Sequence, residues 1–156
     1  MNGRFPPDVE RLLRSAGWTP GRAVAVEPCL MAWRSLGLDE AAGPVSFVRE
    51  FDGLFIQHPP FVDIADVRHF DHTRFDTAHS VRGIWPTVHR EYTNLAGTDL
   101  YPVGENRSHM TLMAGRDGRL FAGVDNFLFV YEGDLETSLV AICQGIPPTL
   151  IGEWSL

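Results

Sequence analysis

Apolar residues at Val9, Leu12, Leu13 and Ala16 recur with a helical period, while Glu10, Arg11, Arg14 and Ser15 point elsewhere. The pattern predicts a helix opened by Asp8, whose carboxylate is placed to cap free amides, and stopped at Gly17. Thr19-Pro20-Gly21 then makes a turn, with proline fixing φ and glycine free to reverse the chain. A second helix is expected from Glu27–Pro28 to Gly37, with Leu30 and Trp33 inward, joined by Leu36 or Leu38. A third is secure only over Val45–Phe51, because Gly43–Pro44 interrupts its start. Val45, Val48 and Phe51 share its inner side.

The period changes at Gly53. "GLFIQHPP" is a short extended run that its prolines confine to a strand end or an edge. "FVDIADVRHFD" alternates only fairly. Asp76 or Thr77 starts another helical stretch to about Leu95, with Ala78, Val81, Trp85 and Val88 or Tyr92 on its apolar side. Pro86 breaks the hydrogen-bond ladder, so that stretch should bend or restart there. From Thr98 onward "LYPVGE", "HMTLMAG", "RLFAGV" and "FLFVYEG" read as four strands, with Asp117-Gly118 as a hairpin corner.

The last of these strands is apolar on both sides, Phe127, Phe129 and Tyr131 against Leu128 and Val130. Either it is central and covered on both faces, the favoured reading, or one face awaits a partner. Trp85 and Trp154 raise the same question. Asp134 caps a final helix from Leu135 to about Cys143, and residues 146–156 are left as a C-terminal tail. The fold class expected is α+β: a twisted antiparallel β-sheet meander backed by N-terminal helices and a short C-terminal helix. One domain over residues 1–156 accounts for the whole pattern.

Composition narrows the function. With 156 residues, 44% of them hydrophobic, the chain can build a core without disulfides or a metal. Cys29 and Cys143 stand alone in apolar stretches, without redox or zinc spacing. No secretory pattern and no run of membrane-spanning length is visible, so a cytoplasmic location is expected. The net charge is -7, from 20 acids and 13 basic residues that are all arginine. No basic patch suits nucleic acid; a basic protein partner or an enzyme with a positive active-site cleft fits the charge better, and solubility alone is the plainest account of a mildly acidic chain.

The segment "RHFDHTRFDTAH" invites a metal hypothesis. On a helix His69 and His72 would share a face, with Asp71, Asp76 or His79 as further ligands; on a strand the two imidazoles face apart. The spacing of common zinc signatures is missing, and scattered surface histidines are the favoured reading. Asp63 and Asp66 pair no better than any two acids, and there is no phosphate loop or nucleophile elbow. No catalytic, cofactor-binding or metal residue is therefore assigned, and no cofactor is expected. The alternative is a small metal-dependent enzyme using the Asp63–His79 region.

From Glu105 onward three arginines, Arg107, Arg116 and Arg119, face seven acids. Asp117, Asp125, Glu132, Asp134 and Glu136 lie in or beside the C-terminal hairpins and are the candidate partner-binding residues. Carboxylates there can mimic phosphates toward an electropositive active site.

Four phrases, "RLLRSAGWTPGR", "FVREFDGLFIQHPP", "LYPVGE" and "GRLFAGVDNFLFVYEGDLETSLVAICQG", resemble the SUKH superfamily of bacterial immunity proteins. The likeness points to the SUKH-3 branch, related to the fungal Smi1/Knr4 proteins, and runs from about Val9 to Gly145. Asp63–Tyr92 is its least typical stretch. In the family's pattern Gly17-Trp18, Pro20-Gly21, Gly53, Pro102-Gly104 and Gly133 mark turns and packing points. The resemblance implies a twisted antiparallel sheet backed by helices, and genes lying beside polymorphic or contact-dependent toxins. It implies a cognate toxin partner, a nuclease or deaminase fitting the charge, neutralised by occlusion without catalysis. A regulatory or scaffold module that binds other proteins is the rival. Sequence leaves the oligomeric state open.

Overall fold

The computed structural model describes residues 3–106 and 109–156. Helix α1 (Pro7–Ser15) begins two residues after Phe5, with Pro6 in the cap position and Pro7 where a missing N–H costs nothing. Asp8 therefore sits inside the first turn and caps nothing through its side chain; only its charge suits that helix end. Gly17 ends the helix at φ 108, and the Trp18 amide turns back to donate to the Leu13 carbonyl at 2.9 Å.

Helix α2 (Glu27–Arg34) buries Cys29 and Trp33. Helix α3 (Ala42–Phe51) starts three residues earlier than Val45, because Gly43 and Pro44 fall in its first turn, where no amide donor is needed. The next helical stretch divides as Pro86 requires, into α4 (Thr77–Gly83) and α5 (Pro86–Ala96), and Asp76 caps α4 by accepting from the His79 amide at 3.0 Å. Helix α6 (Leu135–Cys143) completes the set, with Asp134 accepting from the Thr137 amide at 2.8 Å. Among the described residues no helix is long and apolar enough to cross a membrane.

The expected four strands are β5 (Leu100–Asn106), β6 (Met110–Gly115), β7 (Leu120–Val124) and β8 (Phe127–Val130), joined as an antiparallel meander. Three more extend it. β1 (Phe55–Gln57) and β4 (His72–Arg74) add one border, and β9 (Thr149–Glu153) adds the other by pairing with β8. The seven strands lie in the order β1-β4-β5-β6-β7-β8-β9, every pair antiparallel. Much of the segment read as a tail is thus the last strand. Trp154 packs back with its ring 5.1 Å from that of Tyr92.

Over the central strands β5 to β8 both faces of the sheet are covered. Tyr101, Val103, Leu112, Ala114, Leu120 and Ala122 share one core with residues of α1, α2, α3 and α6. Leu100, Met113, Phe121 and Leu128 share a second core with Tyr92 and Ala96 of α5. Strand β8 is the covered strand its two-sided pattern favoured: Phe129 and Tyr131 belong to the first core, Leu128 and Val130 to the second.

Candidate functional site

The chain leaves the sheet after β1 and rejoins it at β4. Gln57 pairs with His72, and the His58 amide donates to the Asp71 carbonyl at 2.9 Å. Between them Pro59 and Pro60 remove two donors, and β2 (Phe61–Val62) and β3 (Arg68–His69) form a separate ribbon held by two residue pairs. Asp63 organises its tip. One carboxylate oxygen accepts from the amides of Ala65 and Val67 at 2.9 and 3.0 Å, and the other from His69 Nε2 at 2.7 Å. The His69 bond, then the Val67 amide, hold this carboxyl below its ordinary range. The Phe61 ring stacks on His69 with centroids 5.0 Å apart.

This ribbon turns apolar side chains outward. Phe61, Val62, Ile64, Val67 and Phe70 are 49% to 109% exposed, so the core uses none of them fully. Their positions in the sequence follow neither a period of two nor one of 3.6, which is why periodicity missed them. The available signal was five large apolar residues inside a stretch too polar and too short to be a core element.

At the base of the ribbon a cleft of about 670 Å³ opens against α1 and the end of α6, with His58, Phe61, Arg11 and Ile146 among its walls. Asn106 and Tyr131 also line it. The Thr73 hydroxyl donates to Asn106 Oδ1 at 2.8 Å, and the same hydroxyl is hydrogen-bonded to His58 Nε2 at 2.7 Å. The Asn106 amide donates to the Tyr131 hydroxyl at 3.1 Å. This chain of bonds satisfies polar groups buried between ribbon and core.

The histidines and acids of the hypothetical metal set go to separate partners. His69 bonds Asp63, His79 lies 2.7 Å from Glu105, Asp76 accepts from Arg74 at 2.8 Å, and His72 stacks on Phe55 at 4.9 Å. Among the described residues no group of three or more His, Cys, Asp or Glu is placed to hold a metal ion. Both cysteines are free and buried, and burial raises their thiols to about 11 for Cys29 and about 12 for Cys143. Neither is poised as a nucleophile.

The five candidate acids do not gather in one cluster. Asp117 stands in the β6–β7 turn, where it accepts from the amide and Nε of Arg119 at 3.1 and 2.7 Å. Asp125 stands in the β7–β8 turn, at the opposite end of β7, roughly 17 Å of strand away. Glu132, Asp134 and Glu136 follow β8 back toward the end that holds Asp117. Glu136 is paired with Arg4, and Asp134 is engaged as the cap of α6, which holds its carboxyl below the usual range. Asp125 and Glu132 are exposed and carry no ion pair among the described residues. Arg107 lies outside the described residues.

The family model described as SUKH-3 immunity protein matches residues 5–145. No curated protein and no solved structure matches the chain. The matched span holds the buried residues of both cores, the ribbon and all the helices of the described residues, and the chain belongs to the SUKH-3 immunity protein family.

Proposed function

We propose that this protein binds one cognate toxin in the cytoplasm and neutralises it by occlusion, with no bond made or broken, and that the toxin is a nuclease or deaminase. Membership in an immunity family supports the general role. The observation that carries the mechanism is the row of apolar side chains, Phe61, Val62, Ile64, Val67 and Phe70, held outward on a ribbon the sheet does not need. Exposed apolar surface of this kind marks a protein contact, because burying it against a partner recovers the free energy that exposure costs. Charge supplies the rest. A net charge of -7 steers a basic partner; of the candidate acids Asp117, Asp125, Glu132, Asp134 and Glu136, the exposed Asp125 and Glu132, without an ion pair among the described residues, are the ones free to meet a site built for phosphates.

The test uses the toxin domain encoded beside this gene. Wild-type protein should bind it and protect cells expressing it. Ile64→Asp combined with Val67→Asp should weaken binding about a hundredfold or more while leaving the circular dichroism spectrum unchanged. Reversing the charge of Asp125 and Glu132 together, with Asp134 left as the cap of α6, should lower affinity and flatten its salt dependence. Full protection by the ribbon variant would refute the mechanism; capture of several unrelated native proteins instead of the toxin would favour a regulatory module.

A further inference from the structure

Away from the ribbon, a groove of about 210 Å³ opens between the start of α5 and the β7–β8 turn. Ile84, Trp85 and Val88 line it on one side and Val124 and Asp125 on the other, over Tyr92, and His109 and Thr111 at the start of β6 complete the wall. Its base is tightly built. A Cβ on Gly123 would come within 2.5 Å of the Tyr92 ring, so only glycine lets that ring lie against β7. The Tyr92 hydroxyl then donates to the Asp125 carbonyl at 2.8 Å and holds the turn, in which Asp125 takes the left-handed φ of 50. The rim is open. Trp85 is 75% exposed, whereas Trp18 and Trp33 are buried and Trp154 packs on Tyr92.

An exposed indole, a carboxylate without an ion pair among the described residues, and the Val88 and Tyr92 side chains share one small groove, and one residue type answers all three. An arginine side chain has a flat, weakly hydrated, permanently charged head that stacks on aromatic faces and bonds carboxylates, on a stem of methylenes. Charge selects this occupant over an apolar one, since Asp125 would be desolvated without a counter-charge. We propose that the groove receives an arginine of the toxin, its guanidinium over the Trp85 indole and against the Asp125 carboxylate, its methylenes along Val88 and Tyr92. This deepens the toxin-binding reading and rests on it for the source of the arginine.

Two measurements test it. In the first, the protein is titrated with Nα-acetyl-arginine amide, Nα-acetyl-lysine amide and Nα-acetyl-citrulline amide while the NMR signals of the Trp85 indole N–H and the Asp125 amide are followed. Arginine should move both signals, lysine should move them less, and uncharged citrulline should leave them still. Trp85→Ala, read at the Asp125 amide, and Asp125→Asn, read at the Trp85 indole, should each abolish the response. Both variants should fold, because Trp85 is exposed and asparagine tolerates the left-handed φ at position 125. In the second, each variant should weaken binding of the adjacent-gene toxin domain by roughly tenfold.

Equal shifts with citrulline, or shifts spread over other acids but absent here, overturn the groove. If the toxin binds wild type and both variants equally, the groove falls and the immunity reading stands. If the toxin fails to bind wild type, that reading falls, and the arginine titration still decides whether the groove is a guanidinium site.

Discussion

The indole Nε1 of Trp18 donates to Glu50 Oε2 at 2.8 Å, tying the residue just past α1 to the last turn of α3. Arg4 reaches the same carboxylate at 2.7 Å, and the Phe5 ring meets Trp18 edge-on at 5.3 Å. One carboxylate thus holds together a sequence turn and two helices. Trp18→Phe keeps most of the buried ring but loses the bond to a charged acceptor, and should cost about 1–2 kcal/mol in urea unfolding. Glu50→Gln should cost less, since its amide can still accept from the indole.

Asn106 bridges the hydroxyls of Thr73 and Tyr131 inside the core. Asn106→Ala leaves buried polar atoms without that partner and should destabilise by about 2 kcal/mol. Thr73→Val in the same background should cost less than it does alone, because the two residues act through one bond. Equal costs in both backgrounds, from a double-mutant cycle by denaturant melts, would show that they do not.

Two glycines should respond in opposite directions. A Cβ at Gly104 would lie 2.3 Å from the Arg74 carbonyl oxygen, a backbone atom of the neighbouring strand, so Gly104→Ala must force β4 and β5 apart. Its expected cost is about 3 kcal/mol or more. At Gly83, the last residue of α4, a Cβ meets nothing within 4 Å, so Gly83→Ala should stabilise by about 0.5–1 kcal/mol.

Asp63 and Asp134 both have carboxyls lowered from an ordinary value of 3.8, the first mainly by His69 and the second mainly by the Thr137 amide. A lowered carboxyl binds its proton less readily when folded. Its contribution is therefore complete above the unfolded value and is lost as pH falls through the folded one. Thermal midpoints should hold steady down to about pH 4 and decline below it. Asp134→Asn still caps α6 but cannot titrate, so its midpoint should decline less over that acid range.

Thiol chemistry gives a quick check of the core. With Cys29 near 11 and Cys143 near 12, about one thiol in a thousand or fewer is ionised at pH 8. A disulfide-exchange reagent should release little colour from the folded protein within minutes and both equivalents in denaturant. Fast reaction of the native protein would mean that α2 or α6 opens readily.

Local chemistry made much of this fold legible. Pro86 divides α4 from α5, Asp76 and Asp134 cap their helices, and Asp117-Gly118 turns β6 into β7, because each effect spans only a few residues. What sequence reading missed depends on distant neighbours. β4 is three residues long and is a strand because β1 and β5 flank it, and β9 exists because β8 offers it an edge. Trp85 fits the apolar side of a helix on paper. The stop at Gly83 and restart at Pro86 place it between helices instead, with its ring outward. Exposure at Ile64 is the same kind of fact: nothing nearby in the chain announces that no element lies over it.

The ribbon is grafted onto the sheet at a single seam. On either side of it the Gln57–His72 pair and the His58–Asp71 bond close the ladder, so the sheet's register is settled before the excursion begins. Residues inside the loop can lengthen, shorten or change character while β1 and β4 stay in place. Under the proposed occlusion, partner choice could therefore be rewritten in the ribbon without the core having to be rebuilt.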